Sequence, residues 1–111
     1  MTVQPGDIVF IPFPFSDLST AKKRPVLVIT MPDSHGDFTA LAITSRFTEE
    51  DTYGVIQDDL LEGNLPKASW IRVNKVYTLS SDLVIGSFGK LKNESYKSVK
   101  NMFCKVFSCS Q

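Results

Sequence analysis

The chain has 111 residues, 42% of them hydrophobic and 22% charged, with twelve cations balancing twelve acids. That length suits a single domain, residues 1–111, whose core needs no disulfide staples. A formal net charge of zero excludes a generally basic nucleic-acid binder, and no apolar run approaches the roughly 18 residues of a membrane span.

In chain order, Met1 to Gly6 lacks the basic start and apolar stretch of a signal peptide, which points to the cytoplasm. Ile8 to Phe13 is a β-branched and aromatic run, so it predicts a strand. Pro12 and Pro14 cannot donate to a ladder, so this strand ends early or runs on an edge. Ser16 to Lys23 is a polar loop, and the segment closes on three cations, Lys22, Lys23 and Arg24. Val26 to Thr30 reads as a buried strand and Met31 to Asp37 as a turn region. Phe38 to Ser45 predicts a third strand and Tyr53 to Ile56 a weak fourth. Leu60, Leu61 and Leu65 sit in a polar loop and are expected to plug the core.

Ala68 to Val73 predicts a further strand, continuing through Val76 and Tyr77; Asp82 to Ile85 is a short segment before Gly86. Gly86 and Gly89 flank Ser87-Phe88, which suggests a tight bend or a close backbone approach. Tyr96, Val99, Phe103 and Val106 recur at helical spacing, with Met102 and Phe107 widening the apolar face. The spacing predicts a helix over Asn93 to Phe107, with Asn93 as N-cap and Glu94 and Lys105 complementing the helix dipole. Several short strands with one terminal helix imply a small, mainly β, barrel-like domain.

Charge is unevenly placed. Glu49 to Glu62 holds six acids and no cation, whereas Lys90 to Gln111 holds five lysines and one acid. This is either a solvated surface or a basic face for an anionic partner set against an acidic segment. Cys104 and Cys109 are expected as free thiols, with no neighbouring His to complete a metal site.

Catalytic motifs are few. There is no glycine-rich phosphate loop and no nucleophile elbow, and the single histidine, His35, falls in a turn. What remains is a set of polar residues at strand ends: Arg24, Thr44, Ser45, Arg46, Arg72 and Asn74. Arg24 precedes Pro25, which biases its backbone toward an extended form. A guanidinium fixed at the mouth of a strand suits an anion, and phosphate is the commonest. Arg72 alternates with Ile71 and Val73 and so points to the face opposite them.

Four stretches then carry a resemblance. They are Gly6-Asp7-Ile8-Val9, Arg24-Pro25-Val26-Leu27-Val28-Ile29, Ile71-Arg72-Val73-Asn74-Lys75-Val76-Tyr77-Thr78-Leu79 and Phe88-Gly89-Lys90-Leu91. In this order and spacing the chain resembles the MazF/PemK family, the toxins of bacterial toxin–antitoxin pairs. The resemblance implies an SH3-like barrel of about five to seven short strands with a C-terminal helix, assembled as a homodimer. It implies metal-independent cleavage of single-stranded RNA, in which the 2′-hydroxyl attacks the adjacent phosphorus, and it implies no cofactor. Its partners would be a protein antitoxin that folds over the basic groove and, through the antitoxin complex, DNA; no membrane is involved.

The family's catalytic Arg falls on Arg24 and its catalytic Thr on Thr44. Lys22, Lys23, Ser45, Arg72, Asn74 and Tyr77 would contact RNA. The loop Ser16 to Lys23 would gate the groove, and Phe15 or Tyr77 would stack on bases. One departure stands out: Asn74 occupies the position of an Asp proposed as general base in some members, and an amide cannot take the proton. Lys75 and Tyr77 replace the usual Gln and Arg. The alternatives are a toxin of related fold that poisons DNA gyrase without catalysis, or a degenerate RNA-binding module.

Overall fold

The computed structural model describes residues 3–13, 22–47, 50–65 and 67–108. Those residues form seven strands: β1 (Asp7–Phe13), β2 (Lys22–Val28), β3 (Asp37–Thr44), β4 (Thr52–Val55), β5 (Leu60–Gly63), β6 (Ser69–Ser80) and β7 (Gly86–Leu91). One helix follows, α1 (Asn93–Phe107). All pairings are antiparallel, in the order β4-β6-β3-β2-β1-β7-β5, and the sheet curls into a small open barrel. The expected class, mainly β with a C-terminal helix, therefore holds.

Alternation along the central strands sorts apolar side chains onto two faces. Ile8, Leu27, Leu41, Ile43, Ile71 and Val73 form the inner cluster, and Val99 of α1 packs on it. Val9, Ile11, Val26, Val28, Phe38 and Ala40 form a second cluster on the outer face, with Leu79 and Val84 against it. Both faces are dry, so the strands read in sequence as continuous apolar runs.

β6 breaks the alternation. It pairs with β3 as Ala42↔Arg72 and then as Leu41↔Val76, leaving Val73, Asn74 and Lys75 without partners across the ladder. This bulge changes the side to which odd-numbered residues point. Ile71, before it, and Val73, its first residue, face the inner cluster; after it, Leu79 packs on the outer one. The Val73 amide, displaced from the ladder, donates to the Asp51 carbonyl at 2.9 Å. Asp51 itself has a left-handed backbone, φ 48°.

Several sequence expectations change. Lys22 and Lys23 are not loop residues: β2 begins at Lys22 and pairs Lys22, Lys23 and Arg24 with Phe13, Pro12 and Ile11. The rest of the loop, residues 16–21, lies outside the described residues, as do Phe15 and Cys109. β1 pairs with β7 only from Asp7 to Phe10, so Pro12 lies past the end of that ladder among the described residues. Leu60 is buried, but Leu61 lies on β5 and is 62% exposed. Gly86 and Gly89 lie in strand β7 and not in a bend. The close approach exists at Gly89, where a Cβ would run into the Glu62 carbonyl oxygen of β5. Phe107 is 48% exposed and does not widen the buried helix face.

The helix start also differs from expectation. Lys92 is the N-cap and offers no side-chain cap, while Asn93 is already helical. The service comes from Asp59, in the 3-10 turn before β5. Its Oδ1 accepts from the buried Ser95 hydroxyl at 2.8 Å, its Oδ2 from the Ile56 amide at 2.8 Å, and its carbonyl from the Lys92 amide at 2.8 Å. A carboxylate at this end of α1 also suits the helix dipole.

Gly89→Ala should force β5 away from β7, at a cost of about 1–3 kcal/mol. Urea unfolding should show a lower midpoint, and an unchanged midpoint would mean that β5 yields freely.

Candidate functional site

The β2–β3 ladder stops at Val26↔Ala42, beside Pro25, which has no N–H to extend it. Carrying that register two residues further puts Arg24 opposite Thr44. The strands part there, and two depressions open around this pair. One, about 280 Å³, is lined by Arg24 and Thr44 together with Lys23, Ser45, Lys67 and Phe88. The other, about 170 Å³, is lined by Arg24 and Thr44 together with Val26, Ala42, Arg72 and Tyr77. They make one groove that straddles the end of the sheet.

Alternation explains the division. Arg24 and Thr44 share the outer side with Val26 and Ala42, so Arg72, the partner of Ala42, joins them. Tyr77 reaches the same side because the β6 bulge turns it over; its partner is the buried outer-face Ala40. Lys23 points the other way, with its ammonium 5.6 Å from the centroid of the Phe10 ring, which stacks on Phe88 at 5.2 Å.

Thr44 is fixed by a local turn. Its Oγ1 accepts from the Arg46 amide at 3.1 Å, which leaves the hydroxyl proton to donate elsewhere. Arg72 Nε and Asn74 Oδ1 are buried without a hydrogen-bond partner.

Four cations, Lys23, Arg24, Lys67 and Arg72, line this groove, and no carboxylate or imidazole does so among the described residues. A chain of zero net charge thus carries one strongly cationic surface. It can bind an extended anion, with the Arg24 guanidinium and the Thr44 hydroxyl lining both depressions. Among the described residues no three His, Cys, Asp or Glu side chains come together to hold a metal.

Most residues singled out in the sequence converge here. Arg24, Thr44, Lys23, Ser45, Arg72 and Tyr77 all line the groove. Asn74 does not line it but sits beneath, in the bulge. Lys22 takes its place in the β2 ladder, and its side chain is outside the described set. The lysines of α1 do not line the groove, and Lys90 is paired with Asp7 at 3.2 Å. His35 lies at the far end of β3, more than ~20 Å along the strand from Thr44. There the Asp33 carboxylate accepts the amides of Asp37 and His35, which hold its pKa below the ordinary range. Sequence reasoning missed Lys67, Ser69 and Phe88. Lys67 stands in a polar stretch with no pattern to say which surface it reaches.

The sequence matches a family model described as PemK-like, MazF-like toxin of type II toxin–antitoxin systems, over residues 4–107. No curated protein matches the sequence. Among solved structures, an endoribonuclease in complex with its cognate antitoxin from a mycobacterial species has a TM-score of 0.74 at 12% identity, covering 98% of each chain. A MazE–MazF complex from Deinococcus radiodurans has a TM-score of 0.73 at 15% identity, covering 99% of each chain. The Mycobacterium tuberculosis toxin MazF-mt6 has a TM-score of 0.70 at 17% identity, covering 95% of this chain and 99% of that one. At such identities the structural likeness speaks for the fold, and membership rests on the family model. Since that model spans all but the two ends of the sequence, the chain belongs to the family of PemK-like, MazF-like toxins of type II toxin–antitoxin systems.

Proposed function

We propose that the chain is an endoribonuclease that cleaves single-stranded RNA without a metal. The observation that carries this reading is the groove itself: three further cations, Lys23, Lys67 and Arg72, around the Arg24–Thr44 pair, with no competing carboxylate among the described residues. In the reaction the 2′-oxygen of one nucleotide bonds to the adjacent phosphorus and the P–O5′ bond breaks. The products are a 2′,3′-cyclic phosphate and a 5′-hydroxyl. The Arg24 guanidinium holds the extra negative charge of the pentacoordinate phosphorus, where a preorganised donor is worth most. Thr44 donates its hydroxyl proton to a phosphate oxygen. Lys23, Lys67 and Arg72 bind flanking phosphates and fix the strand.

The proton of the 2′-hydroxyl has no evident acceptor among the described groove residues. By the resemblance, Asn74 takes the position of an Asp proposed as general base in some members, and an amide oxygen accepts a hydrogen bond but not a proton. In this reading water removes the proton. A protein antitoxin is the natural partner, as in the complexes of similar fold, and the active form is a homodimer. The same Asn74 favours a second reading, a toxin that binds a protein such as DNA gyrase and leaves RNA intact. Intact RNA with a stable topoisomerase pull-down would support that one.

Purified protein incubated with single-stranded RNA in EDTA should yield 2′,3′-cyclic phosphate ends, and Arg24→Ala should lower the rate by roughly 100- to 1,000-fold. No cleavage, or cleavage that survives Arg24→Ala, would sink the proposal. Four phosphate contacts predict a slope of about −3 for log affinity against log salt with an uncleavable oligonucleotide, and Lys67→Ala should reduce it by about 0.7.

A further inference from the structure

The cross-strand row that contains Arg24 and Thr44 does not end at β3. Thr44 pairs with Trp70 of β6, and Trp70 pairs with Gly54 of β4. One row on the outer face therefore carries a guanidinium, a hydroxyl, an indole and a glycine, about 5 Å apart from strand to strand. The indole lies across Gly54, where a Cβ would sit 3.5 Å from Nε1 in ordinary contact. Backbone thus supports one side of the ring. Phe47 meets it edge-on, with centroids 5.7 Å apart and planes inclined at 67°, and is itself 63% exposed.

The turn that holds Thr44 also fixes this pair. The Arg46 amide bonds to Thr44 Oγ1, so the chain folds back at Arg46 and brings Phe47 beside Trp70. Arg46 is exposed within that turn, and Arg72 lies two residues along β6 on the same face as Trp70. A large exposed aromatic next to a partly buried indole is a poor way to close a sheet end. It is a good way to hold a flat apolar ring whose attached chain is anionic. Just before β4, Glu50 and Asp51 are exposed, and Asp51 lies beside Val73, beyond Arg72 from Trp70.

We propose that Trp70 and Phe47 form a stacking subsite for one nucleobase, adjacent to the nucleotide whose phosphate sits at Arg24 and Thr44. This rests on the reading of the groove as an RNA site. It adds a position at which base identity and stacking strength affect binding, on β6 and the turn after β3.

Trp70 is the only tryptophan of the chain, so its emission reports this subsite alone. The intact protein is titrated with a short single-stranded oligonucleotide carrying 2′-O-methyl groups throughout, which has no nucleophile and cannot be cleaved. Trp70 emission should be quenched in a saturable way. Heparin, a polyanion without bases, should bind without comparable quenching. Phe47→Ala should weaken binding of the oligonucleotide about ten-fold, read by anisotropy of a labelled strand, with little change in Tm. Trp70→Tyr should keep most of the affinity, and Trp70→Ala should lose it. Saturable binding with unmoved Trp70 emission, equal quenching by heparin, wild-type affinity in Phe47→Ala, or no binding at all would each overturn the proposal. Cleavage of RNA in EDTA with Trp70 emission unmoved would defeat the subsite and leave the nuclease reading standing; quenching without cleavage would do the reverse.

Discussion

The three-residue bulge of β6 is the constraint on which the arrangement of this molecule turns. A strand that kept its register with β3 from Ser69 to Ser80 would send Arg72 and Tyr77 to opposite faces. With Val73, Asn74 and Lys75 left out of the ladder, both reach the outer face and both line the groove. The bulge also isolates Asn74, whose amide oxygen is buried without a partner. Its backbone is not left open, because the Asp51 carbonyl takes the Val73 amide from the neighbouring edge. Geometry at the site is thus set by backbone pairing, and the side chains follow.

A second constraint acts from the other side of the groove. Pro25 has no donor, and the β2–β3 ladder ends next to it. Arg24 and Thr44 come opposite one another two residues past the last pair of that ladder. One imino acid and one bulge, on two strands that flank β3, leave an opening in an otherwise continuous sheet. Cations enter it from both faces: Arg24 and Arg72 from the outer one, Lys23 and Lys67 from the side of the Phe10–Phe88 stack. The concentration of charge is local, since the whole chain is neutral.

Much of the frame was legible in the amino acids. The apolar runs around Ile8, Val26 and Phe38 predicted the central strands, and helical spacing predicted α1 with its bounds. Arg24 before Pro25 and Thr44 at a strand end carried enough chemistry to be singled out. Tyr77 was also named, but the face it occupies followed from a bulge that no alternation pattern announces. Lysine is depleted in strands, so the three cations read as the end of a loop; pairing with Phe13, Pro12 and Ile11 overrides that preference. Lys67 and Trp70 were missed for a different reason. Their roles depend on which strands become neighbours, and β6 comes between β3 and β4 only in the folded sheet. Asn93 looked like a cap because local sequence favours it, but the carboxylate that serves the helix start lies on another element.

That carboxylate has a consequence for how the chain folds. Asp59 and Ser95 are 36 positions apart in sequence, and Asp59 also holds the Lys92 amide at the threshold of α1. A helix of 15 residues with no cap of its own gains little by forming early. Its first turn is completed only when the segment between β4 and β5 has arrived beneath it. Helix and sheet edge are thereby coupled by non-local contacts, which favours slow, all-or-none folding over a helix that forms first and waits. Such cooperativity leaves few half-folded species for proteases to find.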